Sequence, residues 1–575
     1  MKSFYPLVSR GMAIVALLAT TSIAGAADVT YERLSNPEPE NWLTNNRTYD
    51  GNRYSPLEEI NKTNVKNLKL AFAVPLAPPS QGAGSFYSSL QGTPLVDNGI
   101  MYMSDGWGRV YRIDLTAGDR GFIDWIMDPH TDPEIATGIM NNRGVALYKD
   151  AVYSLSPDGR LIATDAATGE VRWEVETQQN PVEYFSMAPL VIKDKILIGP
   201  AGGDGPMRGR IEARNPENGD LIWTFNTVPG KGEPGNETWE GNSWETGGVA
   251  TWVTGSYDKD RNELIWGLGN PNPAFEPKAR PGDNLYSDST VALDADTGKL
   301  KWHFQYTPND GWDFDEVGTQ QLYKANINGK ETNVVGHFGR NGFFYNLDGT
   351  NGAYLNGSQY LNKVTWTKGI DPKTGKPVEY DPTKKFQTYI PETRVLDTPF
   401  AQNDGSKYEF CPYWEGGVNM FPTTYSPKTG LVYGVGMEGC TYRPNERPDD
   451  GFITGTLVGV DIATGEVKTR ADFKSAGRGG TVSTAGGLVF GQSVNGDLFA
   501  LDDTTMERLW NINLGTMLDA PPITFAINGK QYLAVAVGPG GVGLDFHKYA
   551  SHSSDEKAAA MANFQRSSTL YFFSL

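Results

Sequence analysis

One short pattern recurs along this chain and limits what it can fold into. It reads apolar-x-Asp, two or three turn residues, Thr-Gly, then an alternating run ending in Trp. It appears from Ala163 as ATDAATG, closing at Trp173; from Ile211 as IEARNPENGDLIW, closing at Trp223; and from Val291 as VALDADTGKLKW, closing at Trp302. Weaker copies start at Tyr111 (YRIDLTAG), Tyr345 (YNLDGTNG), Val458 (VGVDIATG) and Leu498 (LFALDDTTMERLW, closing at Trp510). Each copy reads strand, turn, strand. The Asp side chain accepts from the turn backbone, and Gly takes a positive φ that other residues avoid. The flanks alternate apolar and polar, the period of a half-buried strand. A large Trp at a fixed place after the turn is expected to pack between adjacent sheets. Helical periodicity is nearly absent; Ser554 to Phe564 (SDEKAAAMANF) is one of the few stretches that predict a short helix.

Antiparallel units of four short strands, repeated and set radially, make a β-propeller. Seven visible copies plus one degenerate copy predict an all-β, eight-bladed β-propeller with Trp-containing repeats, at about 69 residues per blade. The terminal STLYFFSL predicts a strand that closes the ring beside an early strand, removing a free edge. Gly352 to Asn403, rich in Lys, Pro, Thr and Asp, predicts a long surface insertion.

The first residues read as an address. Lys2 and Arg10 are basic, Met12 to Thr20 is apolar but too short to span a bilayer, and Ala24-Gly25-Ala26 has the small-x-small form of a cleavage site. This predicts a signal peptide over 1–26, export to the periplasm, and a single propeller domain over 27–575. Mean hydropathy of -0.43 argues against a polytopic membrane protein. With 50 Lys+Arg against 68 Asp+Glu and no basic block, the chain is a poor binder of nucleic acid. In an oxidising compartment the only two cysteines, Cys411 and Cys440, are expected to form a disulfide, two free buried thiols being the alternative.

Fold alone does not give function. Four stretches carry chemistry. In TPNDGWDFDE (307–316), Asp313 and Asp315 alternate beside Trp312; paired carboxylates here bind a cation, act as acid and base, or form an acidic surface loop. In IWGLGNPNPAF (265–275), Asn270 sits in a tight turn that it could simply cap. The glycines of GPAGGDGPMRGR (199–210) suit close backbone approach to a ligand. NNRGVALY (141–148) offers Arg143, whose fork matches carboxylates.

The repeats, the signal and these stretches, in order from about Trp42 to the C-terminus, resemble the quinoprotein alcohol dehydrogenases. Those are periplasmic eight-bladed propellers carrying pyrroloquinoline quinone (PQQ) and usually Ca²⁺. The resemblance implies a PQQ-dependent dehydrogenase that oxidises primary or secondary alcohols, or sugars and polyols, to aldehydes or ketones by hydride transfer to PQQ. It makes Asp313 the catalytic base and Arg340 a cation at the quinone oxygens. Trp252 would stack on one ring face, and Gln91, Arg143, Ser186, Arg340, Asn419 and Arg478 would contact the cofactor. The implied metal ligands are Asp204, Asn270, Asp313 and Asp315, all oxygen donors suited to Ca²⁺ or a lanthanide. Asp315 matches the extra carboxylate of some relatives, including lanthanide users. Cys411 and Cys440 fall where the family closes a second disulfide.

The chain also departs from that pattern. Gln91 stands where relatives have Glu, Arg478 where many have Trp, and Asp204 where Glu is usual. Thr137-Gly138 replaces a pair of adjacent cysteines that covers the cofactor. Ala274 stands where methanol-oxidising members have Trp, implying a roomier pocket. These changes point to the sorbose and broad-range alcohol dehydrogenase branch. With no C-x-x-C-H for covalent haem, electrons are expected to leave to a separate c-type cytochrome or quinone. The alternatives are a non-enzymatic propeller scaffold and a periplasmic carbohydrate-binding propeller. The related scaffold requires a lipidated Cys after the signal and lacks the Trp-Asp and Gly-Asn-Pro stretches.

Overall fold

The computed structural model describes residues 28–76, 89–132, 141–389, 408–443, 453–538 and 568–575. Eight antiparallel sheets follow one another along the chain. Blade 1 is built from Leu95–Asp97, Ile100–Ser104, Val110–Asp114 and Phe122–Met127, and blade 2 from Ala146–Tyr148, Ala151–Leu155, Arg160–Asp165 and Val171–Glu176. Blades 3 to 7 repeat this meander from Leu190, Ser256, Gln321, Thr424 and Val482. Blade 7 adds Tyr54–Ser55 in parallel to its innermost strand. In blade 8, Ile523–Ile527 and Lys530–Val537 are followed by Thr569–Ser574 and, outermost, Lys69–Pro75 from the N-terminal part. The C-terminal strand therefore closes the ring as expected.

The seven sequence repeats are the third strand, turn and fourth strand of blades 1 to 7. In all seven the ladder slips at the end of the third strand, as at Ala163/Thr164 and Ala292/Leu293. Asp165 Oδ1 accepts from the amides of Ala167 and Thr168, both at 2.9 Å, and Gly169 takes φ +78. The Trp lies across from the residue just before the slip, which is Ala at 163, 213, 292 and 500. From there it reaches the turn of the next blade. Trp223 Nε1 donates to the Ala295 carbonyl at 3.3 Å, and Trp302 Nε1 to that of Gly349 at 3.2 Å. The weak first copy uses Trp125 in the same way, donating to Ala166.

The stretch from Gly352 differs from a plain surface insertion. Tyr354–Gln359 is the outer strand of blade 5. Beyond it, Trp366 and Tyr389 are fully buried against Trp312 and Phe314, because a segment that folds back over the ring must itself bury aromatic area. The predicted helix over 554–564, the signal peptide and Thr137-Gly138 lie outside the described residues. Among the described residues no helix is long and apolar enough to cross a membrane.

Candidate functional site

Antiparallel order puts the Asp-x-x-Thr-Gly turns at one end of the blades. The second-to-third-strand loops and the blade-to-blade connections share the other end. Every candidate site residue lies on that second set. Asp204, Asn270 and Arg340 sit between second and third strands of blades 3, 4 and 5. Gln91, Arg143, Ser186, Trp252, Asp313, Asp315, Asn419 and Arg478 sit on connections into the next blade. All of them line one cavity of about 410 Å³.

One wall is acidic. Asp313 and Asp315 both accept from Arg340, whose Nη2 lies 3.2 Å from Asp313 Oδ2 while Nη1 meets Asp315 Oδ2. Asp315 Oδ1 accepts from the Asn270 amide at 2.8 Å, and Asn270 Nδ2 donates to Asp204 Oδ1 at 3.0 Å. Asp204 lies inside the molecule yet is exposed to the open cavity. Burial, reinforced by Asp315, raises its pKa. Burial also lifts Asp313 well above the ordinary carboxylate range, against the pull of Arg340. Arg340 is held charged despite its burial by Asp313 and Asp315. Among the described residues, no three carboxylate, imidazole or thiolate groups surround a common point. The donors are held by Asn270 and Arg340. By atom type they suit a hard, oxygen-seeking cation.

Another part of the lining is cationic. Arg143 Nη1 donates to Ser186 Oγ at 2.6 Å, its other nitrogens face Met420 Sδ, and the guanidinium lies 4.7 Å from the Trp252 ring centre. Among the described residues it makes no ion pair, and burial lowers its pKa to about 10. A buried guanidinium without a counter-ion favours an anionic ligand. Three buried polar atoms of the cavity lining, Gln91 Oε1, Asn141 Oδ1 and Arg340 Nε, lack a partner among the described residues. A planar, polar, multiply charged anion such as PQQ fits this lining.

Sequence reasoning missed Tyr184, Trp414, Glu415 and Asp519. Arg478 donates to Glu415 Oε2 and Asp519 Oδ1, each at 3.0 Å, and Gln91 Nε2 reaches Asp519 Oδ2 at 2.6 Å. The Arg at 478 is thus neutralised by two carboxylates. Trp414 and Glu415 lie in the same CPYWEGGVN stretch as Asn419 and were within reach of inspection; nothing local marks Tyr184 or Asp519. Ala274 is buried, its carbonyl accepts from Arg280, and it is not part of the cavity lining. The room in this cavity is therefore not set by position 274. Cys411 and Cys440 form the disulfide, closing a span of 29 residues that contains Trp414, Glu415 and Asn419.

Fold and lining together define a quinone-cofactor propeller. Residues 42–359 and 454–533 match the PQQ family described as glucose/ethanol/alcohol dehydrogenase, beta-propeller domain. The chain belongs to this family of PQQ-dependent alcohol dehydrogenases. It is 33% identical over 568 residues to the quinoprotein alcohol dehydrogenase PedH of Pseudomonas putida, covering 92% of each chain. It is 34% identical to the quinohemoprotein alcohol dehydrogenase of Comamonas testosteroni, covering 90% of this chain and 75% of that one. Among solved structures, a europium-containing methanol dehydrogenase superposes with a TM-score of 0.80 at 29% identity, covering 95% of this chain and all of the other.

Proposed function

We propose that the chain is a periplasmic PQQ-dependent dehydrogenase that oxidises small alcohols, sugars or polyols to aldehydes or ketones. The observation that carries this reading is the convergence on one cavity of an acidic wall and Arg143, which has no ion pair among the described residues. PQQ supplies the two-electron acceptor that side chains lack. Arg143 and Ser186 would hold one of its carboxylates, Trp252 one ring face, and Gln91, Asn419 and Arg478 its edges. A Ca²⁺ or lanthanide ion beside Asp204, Asn270, Asp313 and Asp315 would supply a Lewis acid.

Asp313 is the general base that takes the substrate's hydroxyl proton. Its carboxylate is fixed by Arg340, whose positive charge would stabilise negative charge developing on a bound quinone. We assign residues 1–26 to a cleaved signal peptide and 27–575 to one propeller domain. Electrons leave to a separate c-type cytochrome or quinone, and substrates fall in the range of the sorbose and broad-range alcohol enzymes.

The test is reconstitution of the purified mature protein with PQQ and Ca²⁺, or with a lanthanide, following dye reduction with ethanol, sorbose and glucose. Activity that strictly requires PQQ is expected, and the order of rates sets metal and substrate. No PQQ binding and no dye reduction with any metal would sink the reading and leave the scaffold or carbohydrate-binding alternatives.

A further inference from the structure

Behind the acidic wall lies a pair that no step above uses. Arg280 is fully buried, yet among the described residues it forms no ion pair. Its guanidinium is spent on neutral acceptors. Nε donates to the Pro273 carbonyl at 3.0 Å, Nη2 to the carbonyls of Ala274, at 3.0 Å, and Asp310, and Nη1 to Asn284 Oδ1 at 2.9 Å. Pro273 and Ala274 belong to the loop that presents Asn270. Asp310 belongs to the loop that presents Asp313 and Asp315. One side chain therefore ties the two loops together.

Asp310, also fully buried, continues the tie. Its Oδ1 accepts from the Trp312 amide at 3.1 Å, and its Oδ2 from those of Asp313 at 3.0 Å and Phe314 at 3.1 Å. Those bonds hold Asp313 at φ +67, a left-handed conformation that a non-glycine residue adopts only when its surroundings impose it.

We infer that Arg280 and Asp310 form a buried brace of positioning residues that fixes the Asp313 loop against the Asn270 loop. The inference rests on the roles given above to Asp313 and Asn270. Neither residue touches the cavity, so both act through the backbone they hold.

Asp310→Asn is nearly isosteric but turns one acceptor into a donor facing amide N–H groups. Arg280→Met keeps the unbranched stem as far as the position of Nε and removes the four bonds. Each variant would be compared with the wild type for kcat, KM, PQQ binding and thermal unfolding. A displacement of the base by about 1 Å costs about a hundredfold in kcat, so a loss of that size is expected with KM and PQQ affinity within about threefold of wild type. A merely structural role would lower the unfolding temperature and leave kcat of the folded fraction unchanged. If Arg280→Met does not fold, Asp310→Asn decides alone. Wild-type kcat in folded Asp310→Asn, or a loss that tracks loss of PQQ, overturns the brace with the function intact. An inactive wild type overturns the function and the brace with it.

Discussion

Asp313 joins three properties that an exposed carboxylate never has together: burial, a left-handed backbone and a guanidinium partner in Arg340. Replacing it with Asn keeps volume and most hydrogen bonds but removes the base. The expected result is a fall in kcat of about 10²–10⁴-fold with PQQ still bound, read by dye reduction beside cofactor titration. Wild-type turnover in this variant would remove Asp313 from the chemistry. Because burial raises its pKa, the protonated, inactive form persists above the usual carboxylate range, and turnover should climb with pH through that raised value. A flat profile from mildly acidic to alkaline pH would contradict the assignment. The acids and bases of this wall were legible because they sit in compact stretches such as GWDFDE. Asp519 was not, because its meaning depends on Arg478 and Gln91, which lie far from it in the chain and meet it only where neighbouring blades close the ring.

The recurring element is a turn of one blade pressed against the Trp of the blade before it. A Cβ added at Gly298 would sit 2.5 Å from the Trp223 ring, and the residue holds φ +68. Gly298→Ala should therefore cost about 1–3 kcal/mol, measured by denaturant unfolding, while dye reduction by the folded enzyme is unchanged. An unaltered midpoint would show that the contact relaxes freely. One blade-to-blade contact breaks the rule on both sides. Thr469 stands at the Trp position of blade 6, and Met506, at φ +60, at the Gly position of blade 7. With no indole to receive, that turn can carry a buried side chain, and Met506 joins Tyr433 and Phe499 in the core. On the opposite face the Cys411–Cys440 disulfide anchors the wall that holds Trp414, Glu415 and Asn419. Changing both cysteines to Ser should lower stability by roughly 3–4 kcal/mol on the chain-entropy model. An unfolding curve matching wild type would mean that packing alone holds this segment.

Across the whole molecule the two sequence signals fall on opposite faces, which explains why one was easy to read and the other needed a resemblance. A turn is decided by its own few residues, so seven blades announce themselves. A site assembled from the connections of eight blades has no local code. The eighth blade was degenerate in sequence for a topological reason. Its third strand, Thr569–Ser574, and its fourth, Lys69–Pro75, come from distant parts of the chain, so no turn joins them and no motif exists to be found. The C-terminal strand pairs with Lys530–Val537 on one side and Lys69–Pro75 on the other, and it buries Leu570, Phe572 and Phe573 completely. Burying three such side chains is worth about 5–9 kcal/mol before ladder bonds, comparable with the net stability of a typical domain at about 5–15 kcal/mol. Removing 568–575 should therefore open the ring: it strips these contacts and leaves the outer strand of blade 8 without a neighbour. The expected outcome is loss of the cooperative thermal transition and of PQQ binding. Because the missing piece is a strand with two preformed edges to receive it, a synthetic peptide of those residues should restore both in a concentration-dependent way. A truncated chain that melts as sharply as the full one would show that the ring is held by its blade-to-blade Trp contacts and not by its closing strand.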